Sequence, residues 1–597
     1  MTTVRLTAAQ ALVRYLVAQR GNDGDTLFHG VWAIFGHGNV AALGEALYAH
    51  RDTLPTFRAH NEQAMGHAAI AFAKASRRRR MMACTSSIGP GASNMVTAAA
   101  VAHVDRLPVL FLPADVFASR RPDPVLQQVE DWADGTVSVN DAFRPVSRYF
   151  DRIARPEQLL TALPRAMQVL TDPGECGPVT LSLCQDTQAE AFDWPEAFFA
   201  PHVWRVRRPP PDTSELAMAT EALRGARSPL IVAGGGVLYA AAEDVLRLFA
   251  ETHGIPVAET QAGKGSLPDA HGRNLGAIGV TGTEAANRAA AAADVVLTVG
   301  TRLQDFTTGS RALFRGRIIA LNVQPFDAGK HEAIPLVADA REGLAALSAA
   351  LRQYRAPAAW TATTAAWRSA WRQAAAVATA PGNTTLPSDA QVIGAVQRAA
   401  APGAVLVCAA GGLPGELHKL WQAEGPGTYH LEYGYSCMGY EIAGGLGVKM
   451  ADPSREVVVM LGDGSYLMMN SEIATSVMMG LQLTIVLLDN GGFGCINRLQ
   501  QATGGTPFNN LVPHGVDFRA HAAALGAIAE EAVDLAALQA AVSRARSASR
   551  TTVIVIATDP AISTEAGGHW WDVAVPEVSE RAEVRAARAA YEAELKR

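Results

Sequence analysis

Short, uninterrupted apolar runs recur along the chain, at residues 109–112, 230–233, 295–299, 457–461 and 484–488, and each gives way to a turn containing Gly, Asp or Asn. Alanine-rich stretches with helical spacing lie between them. Strands that are apolar on both sides belong in parallel sheets covered by crossover helices on both faces. The rhythm therefore predicts an α/β chain built from doubly wound parallel sheets. Two segments break it. In RVRRPPPDTSE (205–215) three consecutive prolines preclude a helix and favour an extended linker. The second segment, 356–388, is polar and rich in Ala, Thr and Trp, and closes in APGNTTLPSD. The breaks predict three α/β domains over 1–200, 215–355 and 386–575, with 576–597 as an exposed C-terminal helix of mixed charge. The run Arg77–Arg80 reads as a solvated helix end, since four like charges repel one another.

Composition narrows the function classes. At 597 residues, with 49% hydrophobic and 18% charged, the chain needs several ordinary cores and is neither a small binding module nor disordered. Lys+Arg 51 against Asp+Glu 57 leaves no basic excess for a phosphate backbone, so nucleic acid is not an expected partner. The six cysteines contain no C-x-x-C pair and predict reduced, mostly buried thiols. The first residues are amphipathic and carry Arg5 and Arg14, unlike a secretory leader, and no apolar run approaches the roughly 20 residues that span a bilayer. A cytoplasmic protein without a membrane partner is expected.

The segment with the most chemistry is VVVMLGDGSYLMMNSEIATSVMMGLQLTIVLLDNGGFG (457–494). A buried strand ends in Gly462-Asp463-Gly464, a helical stretch follows, and a second buried strand ends at Asp489 before the turn Asn490-Gly491-Gly492. Asp463 and Asn490 are 27 positions apart (490 − 463), enough for one crossover, so both side chains can meet at the carboxyl ends of two strands. A carboxylate, a carboxamide oxygen and a carbonyl near Gly492 form a hard oxygen set that suits Mg²⁺ held to a diphosphate. The glycines around Asp463 permit close approach to phosphate, and the following helix start offers unpaired N–H groups. A lone GDG is weak evidence. Joined to a correctly spaced Asn-Gly-Gly, it is strong.

This segment resembles the diphosphate and metal signature of the thiamine-diphosphate (ThDP) enzymes. The family's usual pair of asparagines stands here as Asp489-Asn490, so the metal role falls on Asn490. The resemblance implies a pyrimidine-binding, a central and a diphosphate-binding domain. It places ThDP against Gly462, Asp463, Gly464, Ser465, Asn490 and Gly492, with Mg²⁺ on Asp463, Asn490 and Gly492. It also requires one acid from the first domain. RAHNEQAMGHAAIAFAK supplies Glu62 at the start of a helix whose positions 62, 66, 69, 70 and 73 form a small apolar face apart from the acid. Such a face is expected to desolvate the carboxyl and raise its pKa, letting Glu62 share a proton with the pyrimidine. Without the resemblance, Glu62 is a helix-start acid favoured by the dipole. In YGYSCMGYEIAGGLGVK (433–449) Met438 matches the bulky residue beneath the cofactor that bends its two rings, where the plain alternative is core packing.

HGVWAIFGHGNV, ACTSSIGPGASNMVTAAA, DPVLQQVE and VNDAFRPVSRYFDRI resemble the trihydroxycyclohexanedione hydrolase branch of that family, and the likeness extends through all three domains. It implies hydrolytic opening of a polyhydroxylated cyclic 1,2-diketone in myo-inositol catabolism. His37, on a Gly-rich turn, is the candidate to deliver water or return a proton. Gln127, Gln128 and His67 are further candidates for substrate or cofactor contacts. Related enzymes hold FAD in the central domain, and TRLQDF with NVQPFDAG resembles their pattern; no G-x-G-x-x-G follows the strand in LIVAGGG, so NAD is disfavoured and a flavin is left open. The resemblance also implies that Glu62 and the metal turn acting on one cofactor come from different copies, in a homodimer or homotetramer. Two rivals follow: another ThDP reaction, such as acetolactate-type carboligation or hydrolysis of unsubstituted cyclohexane-1,2-dione, and a catalytically silent homologue kept for binding or regulation.

Overall fold

The computed structural model describes residues 2–382, 385–511 and 515–596, and each predicted domain carries one six-stranded parallel sheet. The first sheet runs Thr56–Phe57, Phe28–Ile34, Met81–Ser86, Val109–Asp115, Val179–Cys184, Tyr149–Ile153. The third runs Tyr429–Leu431, Val405–Cys408, Val457–Gly462, Thr484–Asp489, Thr552–Ala557, Ile528–Glu531. Numbered along the chain, both read 2-1-3-4-6-5. The central sheet reads 3-2-1-4-5-6, from Asn274–Ala277 through Pro229–Ala233 and Val295–Val299 to Ile334–Val337.

The apolar runs became strands because helices cover both faces: Met81–Ser86, Val109–Asp115, Pro229–Ala233 and Val295–Val299 are buried at every position. Each fully buried Val, Leu or Ile contributes about 1.5–3 kcal/mol. In the first and third sheets the order reverses between strands 1 and 3, the place where α/β sheets receive ligands at strand carboxyl ends. The loops at these points follow Ile34 and Ser86 in the first sheet, and Cys408 and Gly462 in the third.

Contacts divide the chain into two compact units. One comprises 1–207 with 442–454 and 469–481; the other comprises 208–441, 455–468 and 482–597.

Three expectations are refined. Residues 356–388, read as a break in the α/β rhythm, contain the 21-residue helix Ala358–Ala378, which buries Trp360, Thr364 and Trp371 and donates a hydrogen bond from Trp360 Nε1 to the Pro229 carbonyl. The C-terminal helix spans Ala582–Leu595 and buries only Val584. At the arginine run, Arg78 donates to the Pro173 carbonyl and Arg80 to the Ala451 carbonyl while lying over the Phe72 ring, so these guanidinium groups bind backbone rather than solvent alone. All six cysteines are free thiols, with Cys84, Cys176, Cys184 and Cys408 buried. Among the described residues, no helix is long and apolar enough to cross a membrane.

Candidate active site

In the first unit the site begins at the helix Glu62–Ala75. Asn61 caps it, its carboxamide oxygen accepting from the Gln63 and Ala64 amides at 2.8 and 3.1 Å. Such a cap is worth about 1 kcal/mol. The cap also fixes the half-buried Glu62 as the first helical residue. Glu62 Oε2 accepts from Asn94 Nδ2 at 3.0 Å, and a Cβ placed on Gly91 would lie 3.1 Å from Glu62 Oε1. The chain entering this cap is itself held: the His60 amide donates to Glu472 Oε1 at 3.2 Å, and His60 Nδ1 lies 2.8 Å from Thr475 Oγ1.

His37 sits exposed on the turn after Phe28–Ile34. Asn39 shapes that turn, accepting from the Gly36 amide at 3.0 Å and donating to Thr85 Oγ1 at 3.1 Å. Next to it, Ser87 Oγ donates to Gln127 Oε1 at 3.4 Å. Gln127 has φ 69°, and its carbonyl lies over Gly89 so closely that a Cβ there would come within 1.6 Å of the oxygen. Only glycine, itself at φ 60°, fits beneath Gln127. The Gln128 carboxamide is buried without a hydrogen-bond partner at either atom. The structure thus places Glu62 and Asn94, in the helices Glu62–Ala75 and Pro90–Asn94, and Ser87, His37 and Gln127, on loops, at the carboxyl edge of the first sheet.

His67, also a candidate, is in a different setting. It is fully buried in the Glu62–Ala75 helix, and burial lowers its pKa from 6.5 to about 3. Below pH 6.5 the unfolded chain takes up a proton that the folded chain refuses, so the stability from this group is complete above pH 6.5 and is lost as pH falls toward 3. The expected slope is about 1.4 kcal/mol per pH unit. Urea unfolding at pH 6, 5 and 4 should show a steeper loss for the native chain than for His67→Gln; parallel losses would mean that His67 carries a proton in the folded state.

In the second unit, Val457–Gly462 and Thr484–Asp489 are adjacent strands and bring Asp463 and Asn490 together. Asn490 Oδ1 faces Asp463 Oδ1 at 3.2 Å and the Gly492 carbonyl oxygen at 2.8 Å; turning the carboxamide over would let its NH₂ donate to both. Gly492 has φ 138° and its Cα lies against the Asn510 carbonyl, 2.3 Å from where a Cβ would sit, so its own carbonyl is held toward Asn490. Three converging oxygens, one of them a buried carboxylate, repel one another unless a cation or the turned amide intervenes. The donor set therefore fits a hard divalent ion, with one carboxylate, one carboxamide and one backbone carbonyl. Among the described residues, no cluster of three His, Cys, Asp or Glu side chains is placed to hold a metal elsewhere.

Met438, half-buried, is carried on a loop fixed from several sides. The buried Glu432 carboxylate accepts from the Tyr435 and Cys437 amides at 2.9 and 2.6 Å. The central domain supports the same loop: Gln304 Nε2 donates to the Gly434 carbonyl at 3.1 Å, and the Phe306 and Tyr433 rings are 4.9 Å apart. After Met438, Tyr440 OH pairs with His430 Nε2 at 2.9 Å. Glu441 is buried, and burial raises its pKa from 4.5 to about 7. None of Glu432, Glu441, Asn94, Gln304 or Phe306 was singled out from sequence. The signal available was two acids, Glu432 and Glu441, in an otherwise apolar and Gly-rich stretch.

Three thiamine pyrophosphate enzyme family models match: the N-terminal TPP binding domain over residues 7–134, the central domain over 216–347 and the C-terminal TPP binding domain over 409–556. Proteins named 3D-(3,5/4)-trihydroxycyclohexane-1,2-dione hydrolase are similar along the whole chain. One from Geobacillus thermodenitrificans is 45% identical and one from Bacillus cereus 43% identical, each over 98% of both chains.

Proposed function

Since the chain belongs to the thiamine pyrophosphate enzymes, and within them to the trihydroxycyclohexanedione hydrolase family, we propose that it opens the ring of 3D-(3,5/4)-trihydroxycyclohexane-1,2-dione by hydrolysis, giving 5-deoxy-D-glucuronate in inositol catabolism. The extent of the likeness carries this reading: 43–45% identity over 98% of both chains leaves no domain unmatched. In the overall reaction the bond between the two carbonyl carbons breaks. One carbon gains the oxygen of water and leaves as carboxylate; the other gains a proton and leaves as aldehyde.

When bound, ThDP would supply a nucleophilic carbon and an electron sink for the bond that breaks. The residues divide the remaining work. Glu62 exchanges a proton at the pyrimidine end, with Asn94 keeping its carboxyl in place. Asp463, Asn490 and the Gly492 carbonyl would hold Mg²⁺, and with it the diphosphate, at the turn after Gly462. Met438 packs beneath the cofactor. His37 delivers the water or returns the proton, and Gln127 and Gln128 contact the substrate. His67 is a core residue that supports the Glu62 helix. The working assembly is a homodimer or homotetramer, in which Glu62 and the metal turn serving one cofactor belong to different copies.

The deciding experiment is NMR identification of the product from the trihydroxylated dione, with and without ThDP and Mg²⁺, alongside a pyruvate control. Acetolactate from pyruvate with no acid from the dione would overturn the assignment. In the same assay His37→Ala should bind ThDP normally yet turn over on the order of 10²-fold more slowly; unchanged kcat and KM would remove His37 from the mechanism.

A further inference from the structure

Glu441 lies at the junction of two turns that the proposed mechanism uses separately. Its Oε2 accepts from the Gly439 amide at 3.0 Å and from Ser465 Oγ at 2.7 Å, and Ser465 Oγ in turn accepts from the Gly439 amide at 2.8 Å. Gly439 directly follows Met438, and Ser465 lies two residues beyond Asp463. The triangle is dry: Glu441 is 1% exposed and Ser465 3%. An acid in the first turn of a helix can be explained as a cap, and the Gly439 contact alone is such a cap. Ser465 is not explained that way. A serine hydroxyl has a single proton, and with Glu441 ionised it goes to Glu441. A diphosphate oxygen is only an acceptor, so the Ser465 side chain has nothing left to donate to it, and any bond from Ser465 to the cofactor tail must come from its backbone N–H.

We propose that Glu441 is a positioning residue of the active site: through Ser465 it ties the Met438 turn to the Asp463 turn, so that the support beneath the cofactor and the grip on its tail keep one spacing. The inference rests on the assignment of ThDP to these turns. Of the Ser465 groups, it leaves the backbone N–H to serve the cofactor tail and makes the hydroxyl a structural tie.

The test is a double-mutant cycle on Glu441→Ala and Ser465→Ala, read by titrating the apoenzyme with ThDP and Mg²⁺ while following tryptophan fluorescence and the circular dichroism of the bound cofactor. Each single variant should weaken ThDP binding about tenfold, the factor one hydrogen bond to a carboxylate carries. The double variant should be no weaker than the worse single one, because both remove the same tie. Glu441→Gln, whose Oε1 can still accept both bonds, should stay within about threefold of native. Additive losses would show that Ser465 and Glu441 act separately and would overturn the proposal. So would a silent Ser465→Ala, which leaves Glu441 as a cap only, or a Glu441→Gln as impaired as Glu441→Ala. If Glu441→Ala does not fold, Ser465→Ala and Glu441→Gln are read singly: a tenfold loss in the first with a near-native second supports the tie, and a silent Ser465→Ala or an impaired Glu441→Gln overturns it. No dione is used, so a native enzyme that fails to open the ring would count against the proposed substrate and not against this tie.

Discussion

Glu62→Gln is expected to lower kcat on the order of 10²–10⁴-fold while leaving ThDP affinity and thermal stability close to native. Glutamine has nearly the shape of glutamate, and its carbonyl oxygen can still accept from Asn94 Nδ2. The helix start is secured by Asn61 and not by Glu62, so the element survives the change. What disappears is a group that can exchange a proton. The loss should appear both in steady-state turnover and in slower deuterium exchange at the reactive carbon of bound ThDP, measured by quenched-flow NMR. Asn94→Ala should reproduce a milder version, since it frees the carboxyl without removing it. Turnover within threefold of native for Glu62→Gln would end the proposed activation.

Sequence carried much of this architecture because burial on both faces leaves a continuous apolar trace: residues 457–461 and 484–488 became Val457–Gly462 and Thr484–Asp489 with boundaries one residue longer. The Asp463 and Asn490 turn was legible for the same reason, since its residues follow directly from the ends of those strands. Strand order was not. That the first and third sheets share one winding depends on pairings between distant segments, such as Val109–Asp115 with Val179–Cys184, and these leave no local pattern. The helix Ala358–Ala378 passed for connecting chain because small Ala and polar Thr, Arg, Ser and Gln separate its few large apolar side chains, although Trp360, Thr364, Trp367 and Trp371 repeat at spacings of 4, 3 and 4 along one face. Glu441 shows the limit most clearly. Its neighbours Gly439 and Ser465 are 26 positions apart in the chain, and only the folded sheet makes one hydrogen-bonded triangle of them.

Asp463→Ala is expected to abolish Mg²⁺-dependent binding of ThDP, with a loss greater than the 10–100-fold typical of residues that merely support a metal ligand. Asp463 is fully buried and supplies the only carboxylate of the three-oxygen set. Without it, one carboxamide and one backbone carbonyl, both neutral, remain as the protein's ligands in this set, and the ion loses its anionic protein anchor. Removing the ion with EDTA and adding back ThDP alone should give the same inactive state in native protein, and Mg²⁺ should then restore it; full activity without any divalent ion would contradict the metal assignment. Asn490 separates the two ways of relieving the crowded oxygens. If its turned amide only donates to Asp463 and Gly492, then Asn490→Asp, which has no N–H to give, should destabilise the metal-free protein and bind no Mg²⁺. If an ion lies among the oxygens, Asn490→Asp keeps a ligand oxygen and adds charge, so Mg²⁺ should still bind and should raise the melting temperature of the variant. The second outcome is expected from the resemblance of these two turns to the metal signature of the thiamine-diphosphate enzymes, the amide turned to donate to Asp463 and Gly492 being the arrangement that suits the metal-free chain.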